Sequence, residues 1–285
     1  MSAIKKVTVL GTGVLGSQIA FQAAFHGFDV TAYDISEEIL EKAKARFAQL
    51  SEIYQADSVV AATREQAEAA LARLLLSSDL GEAVADADLV IEAVPELLAL
   101  KRETYTRLAA LAPAKTIFAT NSSTLLPSDL KQFTGRPDRF LALHYANNVW
   151  RFNTAEIMGT TDTDPEVYRS VVEFAKASGL VPIELKKEKA GYVLNSLLVP
   201  LLNAAAGLLV DDIADVETID KTWRIATGAP VGPFQIYDTV GLTTAYNIAS
   251  TSPDPRSQKF AALLKEKYID KGKLGVSTGE GFYTY

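Results

Sequence analysis

A glycine-rich turn near the amino terminus constrains this chain more than any other feature. The apolar run ending at Leu10 leads directly into the stretch GTGVLG, and a helical pattern follows to about Phe25. A strand, a glycine turn and a helix in that order begin a dinucleotide-binding sheet. The glycines allow the tight turn, the close approach of a pyrophosphate and the packing of the helix on the strand. The predicted dinucleotide contacts in this turn are Gly11, Gly13, Val14, Leu15 and Gly16.

An acidic residue ends the second predicted strand, which covers residues 28–33. Asp34 follows Gly16 by roughly 20 residues, where the ribose of a dinucleotide needs a hydrogen-bond acceptor. Ile35 and Ser36 come next, and neither offers a positive charge to a 2′-phosphate. The sequence therefore favours NAD over NADP. The alternative interpretation is an ordinary βαβ unit that binds no nucleotide.

Composition excludes several classes of function. The chain of 285 residues has no cysteine, which excludes disulfides, thiolate catalysis and cysteine-ligated metals. Its two histidines, His26 and His144, are too few for a histidine-rich metal site, so no metal is predicted. The net charge of −7 argues against a nucleic-acid partner. The amino terminus enters a strand without a signal-peptide pattern, and we expect a cytoplasmic protein.

The order of apolar patterns predicts two domains. Strands alternate with helices up to about residue 186, which predicts an α/β fold: a Rossmann-type, doubly wound sheet in residues 1–186, with a helical arm at about residues 37–76. Residues 187–285 read as an all-helical domain, with breaks at 228–233, near Gly241 and at 252–255.

One apolar stretch, residues 192–210, is nearly long enough to span a bilayer. It contains Asn195 and a central Pro200, and two aspartates follow it. These features favour a helix buried in the core or at a subunit interface, and no membrane partner is predicted.

Several polar residues follow predicted strands, at the edge where open parallel sheets bind ligands. His144 lies near the end of the strand 139–145, and histidine exchanges protons near neutral pH. Glu156 lies on the next predicted strand, and a hairpin would bring it beside His144 to orient the imidazole. Ser123 and Asn195 are candidate donors to a substrate oxygen. Each also has a structural interpretation: a hydrogen-bonded histidine, a surface acid, a loop cap and a polar residue on an apolar helix.

The chain resembles the L-3-hydroxyacyl-CoA dehydrogenase family along its whole length. The matching motifs, in chain order, are VLGTGVLGSQIA, the acid at Asp34, DADLVIEAVPE, ATNSSTL, His144 with Glu156, GYVLNSLLVPLL, GAPVGPF and TGEGFY. The resemblance implies that His144 is the catalytic acid or base, Glu156 its orienting acid, and Ser123 and Asn195 substrate contacts.

The same resemblance implies further cofactor contacts and an oligomer. The cofactor NAD(H) is expected to touch Ala93, Glu96, Lys101 and Asn147, and Asn121, directly after the strand 116–120, completes this set. In the family the helical domain forms a dimer interface, so a homodimer through the C-terminal helices is implied.

The chain departs from the family after His144. The family has F-F-N-P-V-P there, whereas this chain has YANNVW, which places Asn148 and Trp150 at predicted substrate contacts. In the arm, residues 52–76 offer only Arg64 and Arg73 as cations, a poor match for the phosphates of CoA. The departures resemble a smaller branch of the family, the bacterial diketoreductases, which reduce β-keto and β,δ-diketo esters with NADH.

The resemblance therefore implies NADH-dependent reduction of a small-molecule ketone to the (S)-alcohol, with His144 as the proton donor. Three alternatives remain. The chain is a classical L-3-hydroxyacyl-CoA dehydrogenase, a hydroxy-acid dehydrogenase of the gulonate type, or an NAD-binding protein without catalysis.

Overall fold

The computed structural model describes residues 4–285, whose contacts divide the chain into two compact units. The first unit extends to Val193, and the second is Leu194–Tyr285. The strands of the first unit are β1 (Lys6–Leu10), β2 (Asp29–Tyr33), β3 (Leu74–Ser77), β4 (Leu89–Glu92), β5 (Ile117–Thr120), β6 (Phe140–Tyr145), β7 (Thr154–Gly159) and β8 (Val181–Leu185). Its helices are α1 (Val14–Phe25), α2 (Glu37–Ala56), α3 (Arg64–Ala72), α4 (Leu80–Val84), α5 (Leu98–Leu111) and α6 (Pro165–Ala177), with short 3-10 turns at Pro127–Asp129, Lys131–Phe133 and Pro137–Arg139.

The strands form one eight-stranded sheet in the order β3-β2-β1-β4-β5-β6-β7-β8. All neighbours run parallel except β6 and β7, which are antiparallel. Successive residues of β4 belong to two different hydrophobic cores. Leu89 and Ile91 share one core with residues of α1 and α6, and Val90 shares the other with residues of α4 and α5. Helices thus cover both faces of the sheet, which confirms the predicted doubly wound α/β fold.

The helical arm consists of α2 and α3. The Ser36 side chain accepts a hydrogen bond from the Ile39 N–H at the start of α2, and acidic residues occupy the first turn. The helix ends before Asp57, where the sequence predicts a break. Tyr54 is buried and packs edge-on against Phe21 of α1 at a centroid distance of 4.8 Å. This aromatic contact holds the arm against the first helix of the sheet.

The second unit is helical, as predicted. Its helices are α7 (Leu194–Val210), α8 (Val216–Thr227), α9 (Pro233–Val240), α10 (Leu242–Ser250) and α11 (Pro255–Lys267), followed by 3-10 turns at Ile269–Lys271 and Val276–Thr278. All three predicted breaks separate helices. Within residues 4–285, no helix has both the length and the apolar content that a membrane crossing requires.

The division between the units falls after Val193 rather than after residue 186. The physical reason is that the connecting segment packs on the sheet unit. The Gly191 N–H donates to the Ser123 carbonyl at 3.1 Å, and the Tyr192 hydroxyl donates to the Ser122 carbonyl at 2.8 Å. The lysine-rich stretch therefore marks the approach to the junction and not the junction itself.

Candidate active site

A histidine and a glutamate face each other across the antiparallel pair of strands. In the register of β6 and β7, His144 is directly opposite Glu156, so the two side chains project from the same face of the sheet. His144 Nδ1 lies 2.9 Å from Glu156 Oε2. The other carboxylate oxygen of Glu156 accepts from the Val193 N–H at 2.9 Å. His144 is 5% exposed and Glu156 3% exposed, so the pair is shielded from water.

Ser123 completes a line of three side chains. It follows β5, and its Oγ lies 3.0 Å from His144 Nε2. Because a carboxylate only accepts hydrogen bonds, Glu156 selects the tautomer with the proton on Nδ1. Nε2 then accepts from the Ser123 hydroxyl while the ring is neutral, and carries a transferable proton when the ring is cationic. Ser123, His144 and Glu156 therefore form one hydrogen-bonded line.

The glycine turn has the geometry expected of a pyrophosphate site. Gly11 has φ +94°, and a Cβ on it would lie 2.6 Å from the Ala93 carbonyl oxygen. A Cβ on Gly16 would lie 1.9 Å from the Gly11 carbonyl oxygen, so both positions require glycine. A Cβ on Gly13 would meet nothing within 4 Å, which leaves open space above the turn. Among the described residues, no side chain caps the N-terminus of α1.

These observations fit a dinucleotide, because uncapped N–H groups at a helix N-terminus favour an anion. Val14 is exposed and Leu15 half-buried in the first turn of α1, at the edge of this open space.

Asp34 ends β2 beside the turn, as predicted. Its Oδ2 accepts from the Thr12 N–H and from the Thr12 hydroxyl, both at 2.8 Å. Arg46 of α2 donates to the Thr12 carbonyl at 3.0 Å. The Oδ1 of Asp34 accepts from the Ile35 N–H at 2.8 Å, and Asp34 is half-buried.

Glu96 accepts hydrogen bonds beside the line of Ser123, His144 and Glu156. Its Oε1 accepts from the Ser122 hydroxyl at 2.5 Å and from the Thr124 N–H at 2.9 Å. Burial raises the pKa of Glu96, but these hydrogen bonds and the charge of Lys101 outweigh burial and lower the pKa to about 2. Glu96 is therefore a fixed negative charge that holds the loop on either side of Ser123.

Lys101 lies beneath this loop and is 1% exposed. Its Nζ lies 2.5 Å from Glu92 Oε1, 3.2 Å from the Val94 carbonyl and 3.3 Å from Glu96 Oε2. An ammonium group has three N–H donors, and these three partners use all of them. The structure thus gives Lys101 three partners within the protein, and its contact with the cofactor remains a prediction.

The remaining predicted residues have separate surroundings. The Asn121 Oδ1 accepts from the Tyr145 N–H at 3.0 Å and ties the end of β5 to β6. Asn147 is exposed, and Asn148, with φ +59°, donates its N–H to Gln18 of α1. Asn195 lies in the first turn of α7, in the second unit.

Trp150 has its own set of contacts, apart from the line of Ser123, His144 and Glu156. Its Nε1 donates to Asp57 Oδ2 at 3.3 Å, and its ring packs on Tyr54 at 5.5 Å. Arg151 also pairs with Asp57, at 2.9 Å. The indole therefore anchors the loop after His144 to the end of α2, and its contact with a substrate remains a prediction.

Sequence reasoning missed three residues of this region. Glu92 is fully buried in β4, and a charged residue inside the run DLVIEAV was a visible signal. Tyr192 stacks on His144, and its position after a glycine gave no indication of that contact. Arg46 reaches the glycine turn from the arm, which only the packing of α2 reveals.

Comparison with known proteins identifies the family. Residues 6–189 match the 3-hydroxyacyl-CoA dehydrogenase NAD-binding domain, and residues 191–285 match the C-terminal domain of the same family. The chain belongs to the 3-hydroxyacyl-CoA dehydrogenase family. It is thus an NAD-dependent oxidoreductase that acts on hydroxyl and ketone groups, and the glycine turn described above fits its cofactor NAD(H).

Two relatives with assigned names align over nearly the whole chain. The human mitochondrial hydroxyacyl-coenzyme A dehydrogenase is 36% identical, over 99% of this chain and 91% of its own length. A probable 3-hydroxybutyryl-CoA dehydrogenase of Bacillus subtilis is 31% identical, over 99% and 98%. Both names refer to CoA thioesters as substrates.

A solved structure of a diketoreductase is more similar. It is 70% identical, covers 100% of both chains and superposes with a TM-score of 0.95. It was described in work on the catalysis of dicarbonyl compounds. The predicted resemblance to the diketoreductase branch is confirmed.

Proposed function

We propose that this enzyme reduces the ketone of a β-keto or β,δ-diketo ester, or of the corresponding acid, to the (S)-alcohol at the expense of NADH. The observation that carries the proposal is the hydrogen-bonded line from Ser123 through His144 to Glu156, at 3.0 and 2.9 Å. Such a line delivers a proton to one defined point, beyond the carboxyl ends of the strands where this fold binds ligands.

The residues of the line have distinct roles in the proposed reaction. NADH, when bound at the glycine turn, supplies the hydride. Protonated His144 donates from Nε2 to the ketone oxygen as that oxygen becomes an alcohol. Glu156 holds the ring by its Nδ1–H and stabilises the cationic form. Ser123 donates a hydrogen bond to the same oxygen and polarises the carbonyl.

The free ester is favoured over a CoA thioester by two observations. The diketoreductase at 70% identity is far more similar to this chain than the human relative at 36%. Cations on the arm are also engaged within the protein: Arg64 pairs with Glu68 at 2.7 Å and Arg73 with Asp29 at 3.1 Å. Neither is free to meet the phosphates of CoA without giving up a partner.

The deciding experiment compares initial rates of NADH oxidation with a β,δ-diketo ester and with acetoacetyl-CoA. We expect kcat/KM to be higher for the free ester. A higher value for the thioester would instead establish the second candidate, an L-3-hydroxyacyl-CoA dehydrogenase, which the names of the human and Bacillus relatives favour. A panel that also contains gulonate tests the hydroxy-acid alternative.

The choice of cofactor depends on Asp34 in this proposal. Replacing Asp34 by asparagine keeps an acceptor for Thr12 but removes the charge that would repel a 2′-phosphate. Because a hydrogen bond to a charged group contributes about 1.5–3 kcal/mol, NADH affinity should fall roughly 10-fold or more, and discrimination against NADPH should weaken. Fluorescence titration with both cofactors measures the change. Asp29→Asn, at the other end of the same strand, is the matched control, and an equal effect there would contradict the assignment.

A homodimer is the proposed assembly. Leu197, Ile213 and Ile225 of the second unit are exposed by 70%, 69% and 74%, and an apolar cavity of about 480 Å³ lies between α7 and α8. Exposed apolar surface of this kind marks an interface. Light scattering should give twice the chain mass of 30.8 kDa. Ile225→Glu should lower that mass, whereas Leu75→Glu, at a similarly exposed site in the first unit, should not.

A cytoplasmic location remains a prediction.

A further inference from the structure

Three consecutive residues contact all three members of the catalytic line. The Gly191 N–H donates to the Ser123 carbonyl at 3.1 Å. The Tyr192 ring stacks on the His144 imidazole, with centroids 4.3 Å apart and planes within 8°. The Val193 N–H donates to Glu156 Oε1 at 2.9 Å. We call residues 191–193 the strap.

The central residue of the strap has an unusual backbone conformation. Tyr192 has φ +51°, a left-handed value that bulky residues rarely adopt. Its side chain is 1% exposed, and its hydroxyl donates to the Ser122 carbonyl at 2.8 Å. Burial raises the pKa of Tyr192, so the hydroxyl remains a donor. Strained backbone persists where surrounding contacts enforce it, and such positions cluster at functional sites.

The strap and the hydrogen-bonded line together restrict the motion of the His144 imidazole. Ser123 and Glu156 hold the two ring nitrogens within the plane of the ring. The phenol covers one face and prevents the ring from tilting or turning about its χ2 bond.

We propose that Tyr192 is a positioning residue for His144, and that its aromatic ring, more than its hydroxyl, holds the proton-donating nitrogen in line for transfer. The inference rests on the proposed role of His144. It predicts that a substitution at position 192 that keeps the aromatic ring retains kcat, and that one that removes the ring lowers kcat.

Two substitutions separate the ring from the hydroxyl. Tyr192→Leu removes both, and Tyr192→Phe removes only the hydroxyl. We expect Tyr192→Leu to lower kcat on the order of 10²-fold, as a misplaced catalytic group does, while the Kd for NADH stays unchanged. Tyr192→Phe should retain most of the rate. If the Leu variant does not fold, Tyr192→Met provides an adaptable side chain of similar volume without a ring.

A spectroscopic measurement tests the stack without any turnover. The chain has two histidines, so the imidazole carbon-bound protons give two sets of NMR signals. The set absent in a His26→Asn variant is assigned to His26, and the other belongs to His144. A stacked aromatic ring shifts the His144 signals upfield. That shift should disappear in Tyr192→Leu and persist in Tyr192→Phe, with the His26 signals unchanged in both.

The outcomes distinguish this inference from the proposed function. A Leu variant with wild-type kcat, or a Phe variant as slow as the Leu variant, overturns the positioning role. Parallel losses of kcat, NADH binding and thermal stability overturn it as well, because they indicate a merely structural residue. If wild-type protein reduces no ketone of the panel but the His144 signals respond to the ring as described, the proposed function fails and the stacking role stands.

Discussion

Replacing His144 by asparagine should lower kcat for ketone reduction by about 10²- to 10⁴-fold, the usual contribution of a positioned general acid. In the wild type, His144 Nε2 lies 3.0 Å from Ser123 Oγ, at the end of the line where the proposed proton transfer takes place. Asparagine has no proton to transfer at that point. Steady-state rates and NADH titration measure the two effects separately, and the Kd for NADH should be unchanged.

His26 provides the matched control for this experiment. It follows α1 and packs edge-on against Phe25 at a centroid distance of 5.5 Å, and burial lowers its pKa. Asparagine is well accepted at the end of a helix, so His26→Asn should keep wild-type turnover. If His144→Asn retained a rate close to that of His26→Asn, His144 would not be the proton donor. Another group would then donate the proton.

Lys101→Met should cost about 3–5 kcal/mol of unfolding free energy, since it removes one partner of a buried ion pair. The side chains of Lys101 and Glu92 are 1% and 0% exposed, and their charged atoms lie 2.5 Å apart. Glu92 would be left with hydrogen bonds from Thr120 at 2.8 Å and from the Val94 N–H at 2.9 Å, but without a compensating charge. Urea denaturation at neutral pH measures the loss.

The pH dependence of that loss follows from Glu92. Burial raises the pKa of Glu92, and the ion pair with Lys101 opposes the rise. Without Lys101 the folded chain keeps Glu92 protonated to higher pH, whereas the unfolded chain ionises it near the ordinary 4.5. A raised folded pKa contributes stability below the unfolded pKa and loses it as pH rises. The deficit of Lys101→Met should therefore grow as the pH rises through the raised pKa that Glu92 has in the folded wild type.

Two further variants decide the interpretation. Lys176→Met breaks an ion pair with Glu173 at 2.7 Å whose side chains are 55% and 57% exposed, and it should cost at most about 1 kcal/mol. Adding Glu92→Gln to Lys101→Met removes the unpaired charge and should recover part of the stability. A loss for Lys101→Met no larger than for Lys176→Met would show that the buried pair does not hold the β4 end of the site together.

Local sequence signals were sufficient for the fold. The glycine turn, the acid at Asp34 and the breaks between helices depend on backbone conformations that only a few residue types allow. The pairing of His144 with Glu156 was also accessible, because a hairpin brings nearby strand residues into register. Each of these features depends on residues close together in the chain.

Other parts of the site depended on distant contacts. Trp150 contacts Asp57 and Tyr54 of an arm nearly a hundred positions away in sequence, and its substrate contact remains a prediction. Lys101 of α5 pairs with buried Glu92 of β4, and its cofactor contact remains a prediction. Motif matching identifies such residues as important without showing which partner they have.

The sequence by itself determined where the chain turns, which stretches become strands or helices, and which polar residues end at the ligand-binding edge of the sheet. Hydrophobic periodicity and backbone preference act over a few residues, so short stretches of sequence determine these features. Tertiary structure alone decided that Tyr192 covers the His144 imidazole and that Lys101 joins Glu92 to Glu96. Those contacts form because burying a charge or a hydrogen-bond donor without a partner costs free energy. The partners come together only when the whole sheet unit has folded.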